Sequence, residues 1–154
     1  MIFARKVEFD WSNQRSSPHE VSIYDTPFGL WIAEIDKKGY MLSLKPYTPN
    51  PHDLETATPL PFYEIPTRIK PIGTPFQMSV WEALTTIPHG ATTYYSAIAA
   101  IIHNPLAARA VGSAIGCNKV IGFIPCHRVL AKDGTLGGFE WGLDLKEKLL
   151  AYEK

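Results

Sequence analysis

The spacing of hydrophobic positions along the chain changes near residue 72. Upstream, Val21-Ser-Ile-Tyr-Asp25 and Gly29-Leu-Trp-Ile-Ala-Glu-Ile35 read as strands, and Asp36-Lys-Lys-Gly39 turns the second into Tyr40-Met-Leu-Ser-Leu44. A small antiparallel sheet is expected. Downstream the period becomes helical: Phe76, Val80, Leu84 and Ile87 recur every three or four residues behind Thr74-Pro75-Phe76-Gln77, which offers a hydroxyl N-cap, a proline at the first helical position and an amide able to bond back. This predicts a helix to about Ile87, stopped by Pro88-His-Gly90. Residues 96–102 predict a second helix, His103-Asn104 a turn, and residues 105–115 a third helix with Asn104 as its N-cap. Two short helices around a tight turn make a helix-turn-helix candidate. Residues 120–124 suit a buried strand or extended segment, Lys132-Asp-Gly134 a turn, Gly137-Gly138 a flexible loop, and Leu143 to about Tyr152 a final helix.

Eight of the thirteen prolines lie between Pro46 and Pro75, where fixed φ and missing N–H groups argue against long helices or central strands. The expected organisation is a β-rich scaffold over 1–71 that ends in this connector, followed by a mainly helical unit over 72–154, an α/β (α+β) class overall. With 45% apolar residues, 19% charged residues and no net charge, the 154-residue chain can build a core and is neither an acidic disordered chain nor a basic nucleic-acid coat. A polyanion partner must be held by a few placed groups. Charges interrupt the N-terminus, no apolar run is long enough to span a membrane, and Cys117 and Cys126 are too few for a disulfide scaffold, so a reduced cytoplasm is the expected compartment.

Cys126 follows a proline and precedes His127, an imidazole able to accept a thiol proton. The dipeptide alone is weak evidence and fits a buried, inert cysteine better. A base needs an orienting group, and Glu153 lies on the face of Leu149 and Leu150 in the last helix, whereas Glu147 and Lys148 point elsewhere. Glu153 is therefore either a partly buried partner or a frayed terminal glutamate. Arg109 is the one charge on an otherwise small-residue third helix, read either as an ordinary solubilising side chain or as one that enters a groove. Asn118 reads as a helix C-cap, and Tyr94 and Tyr95 as core aromatics.

Taken together, residues 73–153 resemble the catalytic domain of the O6-alkylguanine-DNA alkyltransferases. The resemblance rests on Gly73-Thr-Pro-Phe-Gln77, Val80-Trp81, Ile87-Pro-His-Gly90, Ala107-Ala-Arg-Ala-Val-Gly112, Pro125-Cys-His-Arg-Val129, Gly137-Gly-Phe-Glu-Trp-Gly142 and Lys146-Glu-Lys-Leu-Leu150, in that order. It implies a winged helix-turn-helix-like catalytic domain and DNA repair by direct reversal. Cys126 would accept the alkyl group from O6-alkylguanine (and from O4-alkylthymine as a secondary candidate) in a single, irreversible turnover. His127 would take the thiol proton through a water, Glu153 would orient it, Asn118 would stabilise the active-site turn, and Tyr95 would donate to guanine N3. Arg109 would enter the duplex where the flipped nucleotide had been, with Ala107, Ala108 and Ala110 in the minor groove. Gly138, Phe139, Glu140 and Trp141 would wall the alkyl pocket, Trp141 narrowing it in favour of methyl over benzyl adducts.

The resemblance further implies double-stranded DNA as partner, a monomer, and no cofactor. The N-terminal portion has no cysteine, so no structural zinc is expected. Lys119 stands where proline commonly follows the asparagine, and His103 where glycine commonly precedes Asn-Pro. Two rivals are a damage sensor lacking chemistry, which the cysteine opposes, and a sequence-reading regulator, which the third helix ill suits because Arg109 is nearly its only base-reading group. The repair reading requires a sulfur that is ionised, shielded and reachable.

Overall fold

The computed structural model describes residues 2–50 and 58–154, which form two compact units, Ile2–Ile72 and Gly73–Lys154. Residues 51–57 of the proline-rich connector lie outside the described residues.

The first unit is a six-stranded sheet. Its centre is an antiparallel meander of β2 (Glu20–Thr26), β3 (Gly29–Ile35) and β4 (Met41–Pro46). Along β3 every second residue, Trp31, Ala33 and Ile35, is buried, the period of a strand with one face on a core. Thr26 closes the β2–β3 turn, its hydroxyl accepting from Phe28 N and donating to Gly29 O. Asp36 shapes the β3–β4 turn by accepting from the Lys38 and Tyr40 amides at 2.9 Å each. Phe3, Phe28 and Trp31 stack with ring centroids 5.6–6.2 Å apart.

The connector departs from expectation. It supplies β5 (Leu60–Pro61) and β6 (Arg68–Ile69), and β6 pairs in parallel with both β4 and the short β1 (Glu8–Phe9), an inner position. The sheet is therefore mixed, in the order β1-β6-β4-β3-β2-β5. Two-residue pairings demand few backbone donors, so flanking prolines do not prevent them.

The second unit holds α1 (Pro75–Leu84), α2 (Tyr95–Ile101), α3 (Ala108–Gly116) and α4 (Leu143–Glu153), with β7 (Thr93–Tyr94) paired in parallel to β8 (Val129–Leu130). Thr74 and Gln77 cap α1 reciprocally. A Cβ at Gly73 would come within 2.6–2.7 Å of Trp81 and Gln77, so only glycine admits this approach. Trp81 Nε1 donates to Ala114 O at 2.8 Å, tying α1 to α3. The first helix ends three residues short of Ile87 because the Thr85 and Thr86 hydroxyls take the Glu82 and Ala83 carbonyls.

The α2 terminus is a Schellman motif: Asn104 N donates to Ala99 O, His103 N to Ala100 O, and His103 sits at φ 60°. That is the conformation glycine adopts without cost. The next helix starts at Ala108, not Pro105, and Asn104 does not cap it with its side chain; Pro105 and Leu106 form a turn closed by Ala107 N on Asn104 O. Together α2, this turn and α3 form the helix-turn-helix.

Residues 120–124 are not a strand. They fold into turns, with Gly122 at φ 81° and Phe123 N bonded to Ile121 O. Among the described residues no helix is long and apolar enough to cross a membrane.

Candidate active site

Pro125 fixes the approach to the reactive centre. With φ −82° and ψ 63° it forms an inverse γ-turn, closed by Cys126 N on Ile124 O at 2.7 Å, and a 3-10 turn, Cys126–Arg128, follows. The pairing of β7 with β8 then brings the start of α2, and with it Tyr95, beside this turn.

Asn118 is the first partner of the sulfur. Its Oδ1 accepts from Val120 N at 3.0 Å, which fixes the amide so that Nδ2 faces Cys126 Sγ at 3.2 Å and the carbonyls of Val120 and Ile124 at 3.2 and 3.0 Å. The helix C-cap is Cys117, so Asn118 serves the active-site turn and leaves the cap to its neighbour. Lys119 is exposed and takes no part.

Behind the sulfur lies a buried charge network. His127 Nε2 is 2.7 Å from Glu153 Oε1, and Arg128 grips the same carboxylate through Nε to Oε2 at 2.9 Å and Nη2 to Oε1 at 2.7 Å. Arg128 Nη1 also donates to Ile87 O at 2.8 Å. Glu153 shares a buried face of α4 with Lys146 and Leu149. Burial alone would raise the Glu153 pKa, but the hydrogen bonds from His127 and Arg128 outweigh it and hold the carboxyl at about 2. Burial pushes the His127 pKa down despite the carboxylate, so the imidazole is neutral at neutral pH. An ionised Glu153 accepts, hence Nε2 carries the ring proton and Nδ1 bears the basic lone pair.

The state of the sulfur corrects the sequence reading. Burial raises the Cys126 thiol to about 11, against the lowering effects of the Asn118 amide and the Lys146 charge. At neutral pH it is a protonated thiol, not a standing thiolate, and must lose its proton during reaction.

A cavity of about 310 Å³ opens onto Cys126. One wall is α3, through Gly112, Ile115 and Gly116; the other is the segment Gly138, Phe139, Glu140 and Trp141, with Tyr95 between them. Tyr95 packs against Gly112 and Gly137, where an added Cβ would lie 3.8 and 3.1 Å from it; burial raises its pKa, opposed by a backbone hydrogen bond at Gly138. Phe139 and Trp141 meet edge to face at 5.5 Å. Arg109 and Ala110 are exposed, while Ala107 and Ala108 are half-buried. Arg109, Gly112 and Gly116 fall on one stripe of α3, so the arginine shares the helix face that lines the cavity.

The sequence reading gives no role to the α3 wall residues Gly112, Ile115 and Gly116, nor to two buried cations. Arg128 is one. The other is Lys146, fully buried, whose Nζ donates to Val129 O at 2.7 Å, Gly138 O at 3.1 Å and Leu136 O. It clamps the pocket wall to β8. Its position on the Glu153 face of α4, three residues before Leu149, was the available signal.

Residues 75–154 match the model of the 6-O-methylguanine DNA methyltransferase family, DNA binding domain. Methylated-DNA--protein-cysteine methyltransferases of Kluyveromyces lactis and Haemophilus influenzae are 48% and 50% identical over 54% and 60% of this chain. The matches span 44% and 51% of those relatives, about half their length. A solved structure of Mycobacterium tuberculosis OGT in complex with DNA superimposes with a TM-score of 0.73 at 33% identity, over 87% of this chain and 92% of that one. The chain belongs to the 6-O-methylguanine DNA methyltransferase family.

Proposed function

We propose that this protein repairs DNA by direct reversal, moving the methyl or other alkyl group from O6 of guanine in double-stranded DNA onto Cys126, once per molecule and irreversibly. The observation that carries this is the cavity opening onto a sulfur that Asn118 contacts at 3.2 Å, backed by the His127–Glu153 pair. Its volume of about 310 Å³ falls within the roughly 300–1,000 Å³ of small-molecule sites. The curated relatives named as methyltransferases, and a structural neighbour crystallised with DNA, support the same reading.

The resting thiol gives its proton, through a water, to His127 Nδ1 as Sγ attacks the alkyl carbon. The imidazolium so formed is stabilised by Glu153, and the Asn118 amide stabilises the charge growing on sulfur. One S–C bond forms as the C–O6 bond breaks. The electron pair of that bond goes to the guanine, which recovers the proton, so the balance is a thiol hydrogen exchanged for an alkyl group. Tyr95 donates to guanine N3 and offsets the developing negative charge on the base.

Entry to the cavity requires an everted nucleotide. Ala107, Ala108 and Ala110 let α3 approach the floor of the minor groove closely, and Arg109 fills the vacated place in the stack. The protein acts as a monomer, and its lack of net charge gives modest phosphate affinity and a shallow salt dependence. We assign it to the cytoplasm and to no cofactor. Incubation with excess DNA carrying a radiolabelled O6-methyl group tests the reading: transfer stops at one label per chain, and labelling that survives in Cys126→Ala contradicts it.

A further inference from the structure

We infer that Glu140 sorts adducts by charge, so that the pocket takes neutral alkyl groups and disfavours anionic ones of the same size. The inference rests on the reading above, because it names the substrate class of that site. Among the described residues that line the cavity, Glu140 alone carries a formal charge at neutral pH; Tyr95 and Cys126, the other ionisable groups there, keep their protons.

The backbone that carries this carboxylate is fixed on both sides. Lys146 holds Gly138 O at 3.1 Å, and Gly142 N closes the following turn on Phe139 O at 3.1 Å. The flanking rings of Phe139 and Trp141 touch edge to face. Glu140 is thus carried at the mouth on a short braced segment and stays exposed there. Two cations share these surroundings: Lys146, whose Nζ stands 5.9 Å from the Phe139 ring centroid and whose charge acts on Cys126, and Arg109 on the α3 face that lines the cavity. Both stay in place in Glu140→Gln, so that substitution isolates the carboxylate's own effect.

An adduct ending in a carboxylate brings a second negative charge to this wall. Like charges several ångströms apart in a partly solvated mouth change a rate by about three- to tenfold. A neutral group of equal size meets no such barrier. The transfer step is the same for either adduct, with the S–C bond formed, the C–O6 bond broken and the thiol proton delivered to guanine.

The test compares single-turnover transfer from oligonucleotides carrying O6-carboxymethylguanine and its neutral isostere O6-carbamoylmethylguanine, in wild type and Glu140→Gln, with O6-methylguanine alongside. The expected result is a carbamoylmethyl-over-carboxymethyl rate ratio about three- to tenfold larger in wild type than in Glu140→Gln, where only the intrinsic difference between the two adducts remains, the gap between the proteins narrowing as salt rises. Equal wild-type rates, or a preference unchanged in Glu140→Gln, overturn the inference while methyl transfer upholds the repair reading. Failure of both larger adducts in both proteins overturns it too, because size and not charge then sets the limit. Absence of methyl transfer overturns the repair reading and this inference together.

Discussion

Glu153 Oε1 lies 2.7 Å from His127 Nε2, and the same oxygen lies 2.7 Å from Arg128 Nη2. One carboxylate, supplied at the end of α4, therefore fixes both the tautomer of the imidazole and the orientation of the guanidinium that follows it in sequence. Its removal strands a buried arginine as well as freeing the ring.

Glu153→Gln is expected to destabilise the protein by about 3 kcal/mol, in line with the cost of breaking a buried ion pair from one side. The folded-state pKa of Glu153, about 2, lies below its ordinary value of 4.5. The stabilisation it gives is complete above about 4.5 and fades as pH falls toward 2. Urea midpoints measured across this range should converge for wild type and Glu153→Gln at the acid end. A constant gap at every pH contradicts the assignment.

The Cys126 thiol at about 11 and a His127 pKa below its ordinary 6.5 predict a particular rate profile. Single-turnover transfer should be level through neutral pH and fall on the acid side as His127 protonates. In His127→Ala the rate should instead climb about tenfold per pH unit through the neutral range, since free thiolate becomes the only nucleophile. A flat profile in the variant would show that the imidazole is not the base.

His103 occupies φ 60° at the end of α2, where a Cβ is strained. His103→Gly should raise stability by about 0.5–1 kcal/mol, read from the denaturant midpoint, because relief of the left-handed strain exceeds the extra chain entropy of glycine. A lower midpoint would mean that the imidazole compensates through contacts of its own.

Trp141 contributes one wall of the cavity and braces Phe139 edge to face at 5.5 Å. Replacing it by glycine should open the site, so inactivation by O6-benzylguanine should speed up by about tenfold or more in Trp141→Gly. Equal inactivation rates would remove Trp141 as the residue that restricts the pocket.

Much of the second unit was legible because local signals and tertiary structure agree there. The Thr74 and Gln77 box starts α1, and the face shared by Leu149 and Glu153 is the buried face of α4. Residues 120–124 misled because apolar, β-branched side chains suit a strand, whereas Gly122 and Pro125 decide the backbone. The spacing of Lys146 from Leu149 and Glu153 put it on the buried face of α4 but did not say what it would hold there. Its partners are carbonyls of residues 129, 136 and 138, which only the folded chain brings to it. The connector likewise gives up its two short strands only once the β2–β4 meander exists to receive them.

The central claim concerns one sulfur atom, and intact-protein mass spectrometry with peptide mapping reads it directly. After mixing with an oligonucleotide that contains O6-methylguanine, every active chain should carry one methyl group in place of one hydrogen, located on Cys126, while the oligonucleotide returns to unmodified guanine. An unchanged protein mass beside repaired DNA, or a methyl group mapped to Cys117, would contradict it.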